Sequence, residues 1–225
     1  MSMASSEASL SLFYSVLSCK WIAKIRLCHL NFKIFFKKNV AFCSMSFYCT
    51  FVREKGKGTV HETYHDTEYG FPLESDNELF ARLVLEINQA GLSWETILKK
   101  KEAFYKAFDR FDILKVSRYK QKKFDVLMQD AGIIRNRLKI NAAIENAKVI
   151  LSLQKEFGSF KNWLDQHHPK TKEEWVKLFK KHFKFTGGEI VNEFLMSTGY
   201  LPGCHAEDCP TYKKIVKKKP MWLRQ

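Results

Sequence analysis

From Ser75 onward, apolar residues recur every three to four positions, the spacing of one face of an α-helix. Leu79, Phe80, Leu83, Val84 and Ile87 form the clearest stripe, and Gly91 stands where that helix would end. Ser93 is placed to cap a second helix carrying Ile97, Leu98, Phe104, Tyr105 and Phe108. Asp112 opens a short helix to about Tyr119, and another spans Gln121–Gln129. The pattern breaks at "DAGII" and resumes near Arg135, where Ile140, Ile144, Ala147 and Leu151 share a face until Gly158. Thr171 and Glu174 have capping-box spacing ahead of Trp175, Leu178, Phe179 and Phe183. Thr186–Gly188 then opens a last helix through Ile190, Val191, Phe194 and Leu195, closed by Gly199. Strand-like alternation is nearly absent, so the expected fold class is all-α.

One position breaks the polar rule. Leu79, Leu83, Glu86 and Ala90 lie in steps of four, three and four, which puts a carboxylate on an apolar stripe. Burying an unpaired carboxylate costs several kcal/mol. Either Glu86 sits at the stripe's edge with its oxygens in water, or a function keeps it there.

Composition narrows the class. The 225 residues are 45% hydrophobic and 28% charged, which suits one fair-sized globular domain. A net charge of +14 favours a polyanionic partner, nucleic acid before an anionic membrane surface, with a lysine-rich solvated surface as the plain alternative. The six cysteines lack the regular density of a secreted disulfide scaffold, so the expected compartment is reducing. No segment approaches the roughly 20 apolar residues that span a bilayer. Residues 1–44 hold six Lys/Arg against the single Glu7 and show no clear caps or turns. They read as an N-terminal extension, disordered or upstream of a start at Met45, with organellar targeting as the alternative. Residues 45–225 read as a single helical domain, expected in the cytoplasm, and still carry 32 Lys/Arg against 23 Asp/Glu.

Two patterns carry candidate chemistry. His205 and Cys209 are four apart, and Cys49 and His65 lie far upstream. Together they make a Cys₂His₂ donor set of the kind zinc prefers, one that would tie the start of the domain to its end. Cys204 is an alternative ligand, and His65 reads equally as a core histidine. In "LMQDAGIIRNRLKI" (Leu127–Ile140) a tight turn joins two helices, so the second helix would offer free backbone N–H groups to a phosphate, with Arg135, Arg137 and Lys139 beside them. A plain helical corner with a solvated basic flank explains the same residues. Lys99–Lys101, Lys180, Lys181 and Lys184 read as solvated faces.

Four longer stretches resemble the DNA-3-methyladenine glycosylase I (Tag) family: "YHDTEYGFP" (Tyr64–Pro72), "LEINQAGLSWETILKK" (Leu85–Lys100), "DAGIIRNRLKI" (Asp130–Ile140) and "FKFTGGEIVNEFLMSTGYLPG" (Phe183–Gly203). They fall in order between about Tyr48 and Tyr212. The resemblance implies a helix-hairpin-helix glycosylase fold, with the hairpin at Asp130–Ile134. It implies one structural zinc per chain on Cys49, His65, His205 and Cys209. It implies a base pocket of Glu86, Trp94 and Tyr64, with Tyr69 where members usually carry tryptophan and His61 where the best-known ones carry a second tyrosine. Gly132, Ile134, Arg135 and Arg137 would hold the DNA backbone.

The implied activity is release of 3-methyladenine from alkylated double-stranded DNA by flipping and hydrolysis, without lyase chemistry; a monomer that binds no membrane is the default expectation. Glu86 would be the residue that greets the cationic base. Two other classes compete: a non-catalytic helix-hairpin-helix module that binds damaged DNA, which needs no pocket carboxylate, and a helical adaptor for an acidic protein, which predicts no salt-dependent DNA binding.

Overall fold

The computed structural model describes residues 47–224, so the expectation for residues 1–44 lies outside it. Helices α1 (Phe47–Lys55) and α2 (Val60–Thr67) come first, followed by α3 (Asp76–Gln89) and α4 (Trp94–Ala107). A 3₁₀ turn at Asp109–Phe111 leads to α5 (Ile113–Ser117), α6 (Gln121–Gln129) and the long α7 (Arg137–Phe157). After these come α8 (Phe160–His167), α9 (Lys172–His182), α10 (Gly188–Ser197) and α11 (Pro210–Lys217). Among the described residues there is no strand, in agreement with the all-α expectation.

Several helix ends are where their chemistry puts them. Ser93 Oγ accepts from the Thr96 amide and Asp112 Oδ1 from the Lys115 amide, satisfying donors that a first turn leaves open. Thr171 and Glu174 form the reciprocal capping box. The reading missed four helices: α1, α2, α8 and α11. All four run to only eight or nine residues, too few for a stripe to repeat convincingly. Two of them still carry cap signals, Thr59 for α2 and Ser159 for α8.

Helix α3 is the axis of the molecule. Every residue from Leu79 to Asn88 is buried, so the single apolar face read from the sequence is in fact buried on all sides. It packs against α4, α5, α7, α8, α10 and the 3₁₀ turn. An all-round buried helix ordinarily reads apolar throughout. Here Arg82, Glu86 and Asn88 are buried with it. At its start the Asp76 carboxylate accepts from the backbone amides of Phe160 and Lys161 and from Gln154, which fixes α8 against α3. An anion at a helix N-terminus is stabilising there.

Candidate base pocket and metal centre

The corner between α3 and α4 places two of the sequence-predicted residues. Glu86 lies in the last turn of α3 and is 1% exposed, which removes the alternative of a solvated stripe edge. Trp94 is the first residue of α4 and is 2% exposed. Gly91, at φ 82°, lets the chain reverse between them. The turn is closed by the Leu92 amide donating to the Gln89 carbonyl at 2.8 Å and by Gln89 Nε2 donating to the Leu92 carbonyl at 3.0 Å.

An aromatic wall from α1, α2 and the following turn faces this corner. Tyr64 meets Trp94 edge-on, with centroids 5.1 Å apart at 66°, and lies 5.5 Å from Tyr69 and 6.3 Å from Tyr48. His61 is buried on the same wall, bonded through Nδ1 to the Tyr48 hydroxyl at 3.0 Å and packed on Phe51. Burial first, then Glu86 and Glu193 for Tyr48 and Glu193 for Tyr69, push these two phenols above their ordinary range. Burial and Glu86 raise Tyr64 as well, although Arg82 opposes them. All three phenols therefore stay protonated well beyond the pH at which a free tyrosine ionises.

Four residues of this neighbourhood escaped the sequence reading. Tyr48 completes the wall. Arg82 donates to the Tyr64 hydroxyl at 3.0 Å, stands 5.0 Å over its ring and bonds Glu68 at 3.2 Å. Lys101 reaches the other Glu68 oxygen at 2.6 Å, so it is a bonded residue rather than the solvated lysine expected. Burial works against the charge on Arg82, but Tyr64, Glu68 and Glu86 together hold its affinity for a proton above the usual value. Glu193 accepts from the Tyr69 hydroxyl at 3.3 Å. Arg82 was legible, because it sits four residues before Glu86 and so shares its face. Tyr48, Glu68 and Glu193 carry no such signal.

The four expected metal donors come together, all buried, with ligand atoms within 4.8 Å of one another. Cys49 Sγ lies 3.3 Å from His65 Nε2 and 3.6 Å from His205 Nδ1, and Cys209 Sγ lies 3.7 Å from each of those nitrogens. A tetrahedron with metal–N bonds of about 2.05 Å and metal–S bonds of about 2.3 Å has S···N edges near 3.6 Å. The residues therefore fit a small tetrahedral cation. Each histidine is also turned by a second bond: His65 Nδ1 faces Asp66 at 2.6 Å, and His205 Nε2 donates to the Tyr69 carbonyl at 2.8 Å. Burial pushes His205 down to about 4, against that carbonyl bond, which keeps its imidazole neutral as a ligand must be. Cys204, the alternative ligand, packs elsewhere. It lies under Gly70, where an added Cβ would come within 2.4 Å of its sulfur.

The turn between α6 and α7 differs in detail from its expectation. Arg135 and Arg137 are exposed as read. The Gly132 amide, however, is bonded within the turn to Asp130 Oδ1 at 2.7 Å. Asn136 caps α7 by accepting from the Leu138 and Lys139 amides, so those first-turn donors are already engaged. Ile134 is half-buried, and its carbonyl accepts from the Asn136 amide at 2.8 Å. Lys100 Nζ bonds the Ala131 carbonyl at 2.7 Å, again unlike the solvated lysine expected. Lys139 turns inward. It is 5% exposed and donates to the carbonyls of Asn88 at 2.9 Å and Ala90 at 2.6 Å, so it cannot join the two arginines at a phosphate.

Comparison with known proteins identifies the family. The methyladenine glycosylase family matches residues 55–178. The DNA-3-methyladenine glycosylase of Haemophilus influenzae is 34% identical over 174 residues, covering 69% of this chain and 94% of that protein. The DNA-3-methyladenine glycosylase 1 of Escherichia coli is 34% identical over 168 residues, covering 66% and 89%. A solved structure of 3-methyladenine DNA glycosylase I from Staphylococcus aureus, described for its recognition of 3-methyladenine, superposes with a TM-score of 0.65 at 32% identity, over 75% of this chain and 97% of that one. By this family match and these relatives, the chain belongs to the methyladenine glycosylase family, the 3-methyladenine DNA glycosylase I enzymes.

Proposed function

We propose that this chain is a base-excision repair glycosylase that flips 3-methyladenine out of alkylated double-stranded DNA and releases it by hydrolysis. The observation that carries the reading is Glu86, a carboxylate 1% exposed beside an aromatic wall at the α3–α4 corner. Methylation at N3 leaves the base cationic and weakens its bond to the sugar. Flipping costs a few kcal/mol, and the pocket must repay that for the lesion and not for adenine. An ionised Glu86 accepts hydrogen bonds from the base's amino edge and favours a cation over a neutral ring. Trp94 and Tyr64 add cation–π attraction of about 0.5–2 kcal/mol. Since these two rings already touch edge to face, the base lies against their wall, and sandwiching it would require them to part. Tyr69 and His61 extend the wall, and Tyr48 packs edge-on against Tyr69 with centroids 5.4 Å apart. Water attacks the sugar carbon as the glycosidic electrons return to the base and cancel its charge, and the proton leaves to solvent. Glu86 makes that departure selective.

The same reading assigns the α6–α7 pair to the helix-hairpin-helix class, its turn lying along the DNA backbone. Gly132 serves there as a residue small enough to seat the turn, since an added Cβ would come within 3.0 Å of Ala103. Ile134 follows it in the turn, and Arg135 and Arg137 supply charge to phosphates. Replacing both arginines with alanine is expected to weaken duplex binding and to lower the log–log salt slope by about 1.8, two phosphate contacts' worth. An unchanged slope would remove them from the interface. Zinc is the proposed occupant of the Cys49, His65, His205 and Cys209 site, where it would tie α1 and α2 to the start of α11. Its chemistry there is structural. The proposed working unit is a monomer.

The direct test is incubation of the full chain with methylated duplex DNA, followed by chromatography of the released bases. Release of 3-methyladenine with intact strands is expected. Tight binding of damaged DNA with no released base would favour the non-catalytic module instead.

A further inference from the structure

We infer that Lys139 is a positioning residue: it locks the α3–α4 corner, which carries Glu86 and Trp94, to the first turn of α7, so that a nucleotide flipped from a duplex gripped at the Asp130–Asn136 turn arrives opposite the pocket. The inference rests on the glycosylase reading above and adds to it a residue whose ammonium is bonded to the protein's own backbone carbonyls rather than offered to a phosphate.

Lys139 follows the exposed Arg137 and Leu138 yet is 5% exposed itself. Taking an ammonium out of water is costly unless it is bonded. Its Nζ spends that charge on two backbone carbonyls, Asn88 and Ala90, at 2.9 and 2.6 Å. Those carbonyls belong to the end of α3, where four acceptors lose their helical partners. Nearby solvent or a local turn would satisfy such groups as well. A charge brought from a residue about 50 positions later does something further, because it fixes one helix against another.

The link is short at both ends. Asn136, in the turn, holds the Lys139 backbone amide at 3.2 Å. Two residues before Asn88 is Glu86, and four after Ala90 is Trp94. A reciprocal tether runs the other way, from Lys100 on α4 to the Ala131 carbonyl in the turn. The corner's own shape does not depend on Lys139, since the Gln89–Leu92 bonds and the Ser93 cap close it. Misplacement of reacting groups by about 1 Å can cost on the order of 10²-fold in rate without loss of either binding surface.

The test uses the full chain and compares Lys139→Met, which keeps the aliphatic stem, and Lys139→Arg, which keeps charge and donors. Three quantities are measured: single-turnover release of 3-methyladenine from saturating methylated duplex, affinity for free 3-methyladenine, and affinity for undamaged duplex. For Lys139→Met the release rate is expected to fall at least tenfold with both affinities within about threefold of wild type, and Lys139→Arg is expected to recover most of the rate. A parallel fall in free-base affinity and rate would overturn the inference by reducing Lys139 to support of the pocket. So would an unchanged rate. If the methionine variant does not fold, Lys139→Gln, which keeps a donor for one carbonyl, is compared in the same way. Failure of the wild-type chain to release any base would overturn the glycosylase reading itself, an outcome separate from normal wild-type release with an unaffected variant.

Discussion

Glu86→Gln is expected to slow single-turnover release of 3-methyladenine roughly 10- to 150-fold, the equivalent of the ~1.5–3 kcal/mol carried by a hydrogen bond to a charged group. The amide keeps the size of the carboxyl, so Tm should stay within about 4 °C of wild type. In the proposed mechanism the substitution removes the carboxylate that faces the cationic base and offers an N–H to an amino group that is itself a donor. Affinity for the free base should fall with the rate, and discrimination against adenine should narrow. The measurement is release from methylated duplex beside titration of the free base. If neither moves, Glu86 is a buried acid serving only the fold, and Tyr48, Tyr64 and Tyr69 become the candidates for recognition.

The second large effect belongs to the metal centre. Cys209→Ala is expected to abolish the binding of about one zinc per chain, read by elemental analysis. It should lower Tm by about 8–16 °C, as a loss of around 4 kcal/mol would in a chain of this size. Release of base per folded molecule should stay within about threefold of wild type, because the four ligands come from α1, α2 and the α11 entry rather than from the α3–α4 corner. The expected pattern is a fragile but competent enzyme. A chain that folds, melts normally and cuts without metal would remove zinc from the account. Loss of chemistry at unchanged Tm would instead assign the site to catalysis.

Much of this was legible in the sequence, for reasons that differ by element. Helices α4, α7 and α9 announce themselves through long apolar periodicity and good caps at Ser93 and Thr171. The metal donors could be named but not joined, since nothing local says that Cys49 meets Cys209, and Cys204 offered the same chemistry. Only the packing of α1, α2 and the α11 entry against one another decided between them. Glu86 stood out because its charge contradicted its stripe. Arg82, on the same face, passed unnoticed because its partners Tyr64 and Glu68 come from another helix and its turn. Lys139 illustrates the opposite error: a basic residue after a hairpin invites a phosphate, and only tertiary structure reveals that its ammonium points into the protein. Asn136 was hidden for a smaller reason, a helix start placed two residues early.

Helix α3 has no outer surface between Leu79 and Asn88, so the acid proposed to meet the lesion is anchored in the stretch of chain at the centre of the interior. A lid or a loop can wander and return while its host stays intact; this strut cannot. On warming, the fading of catalysis and the collapse of the molecule should therefore share one temperature.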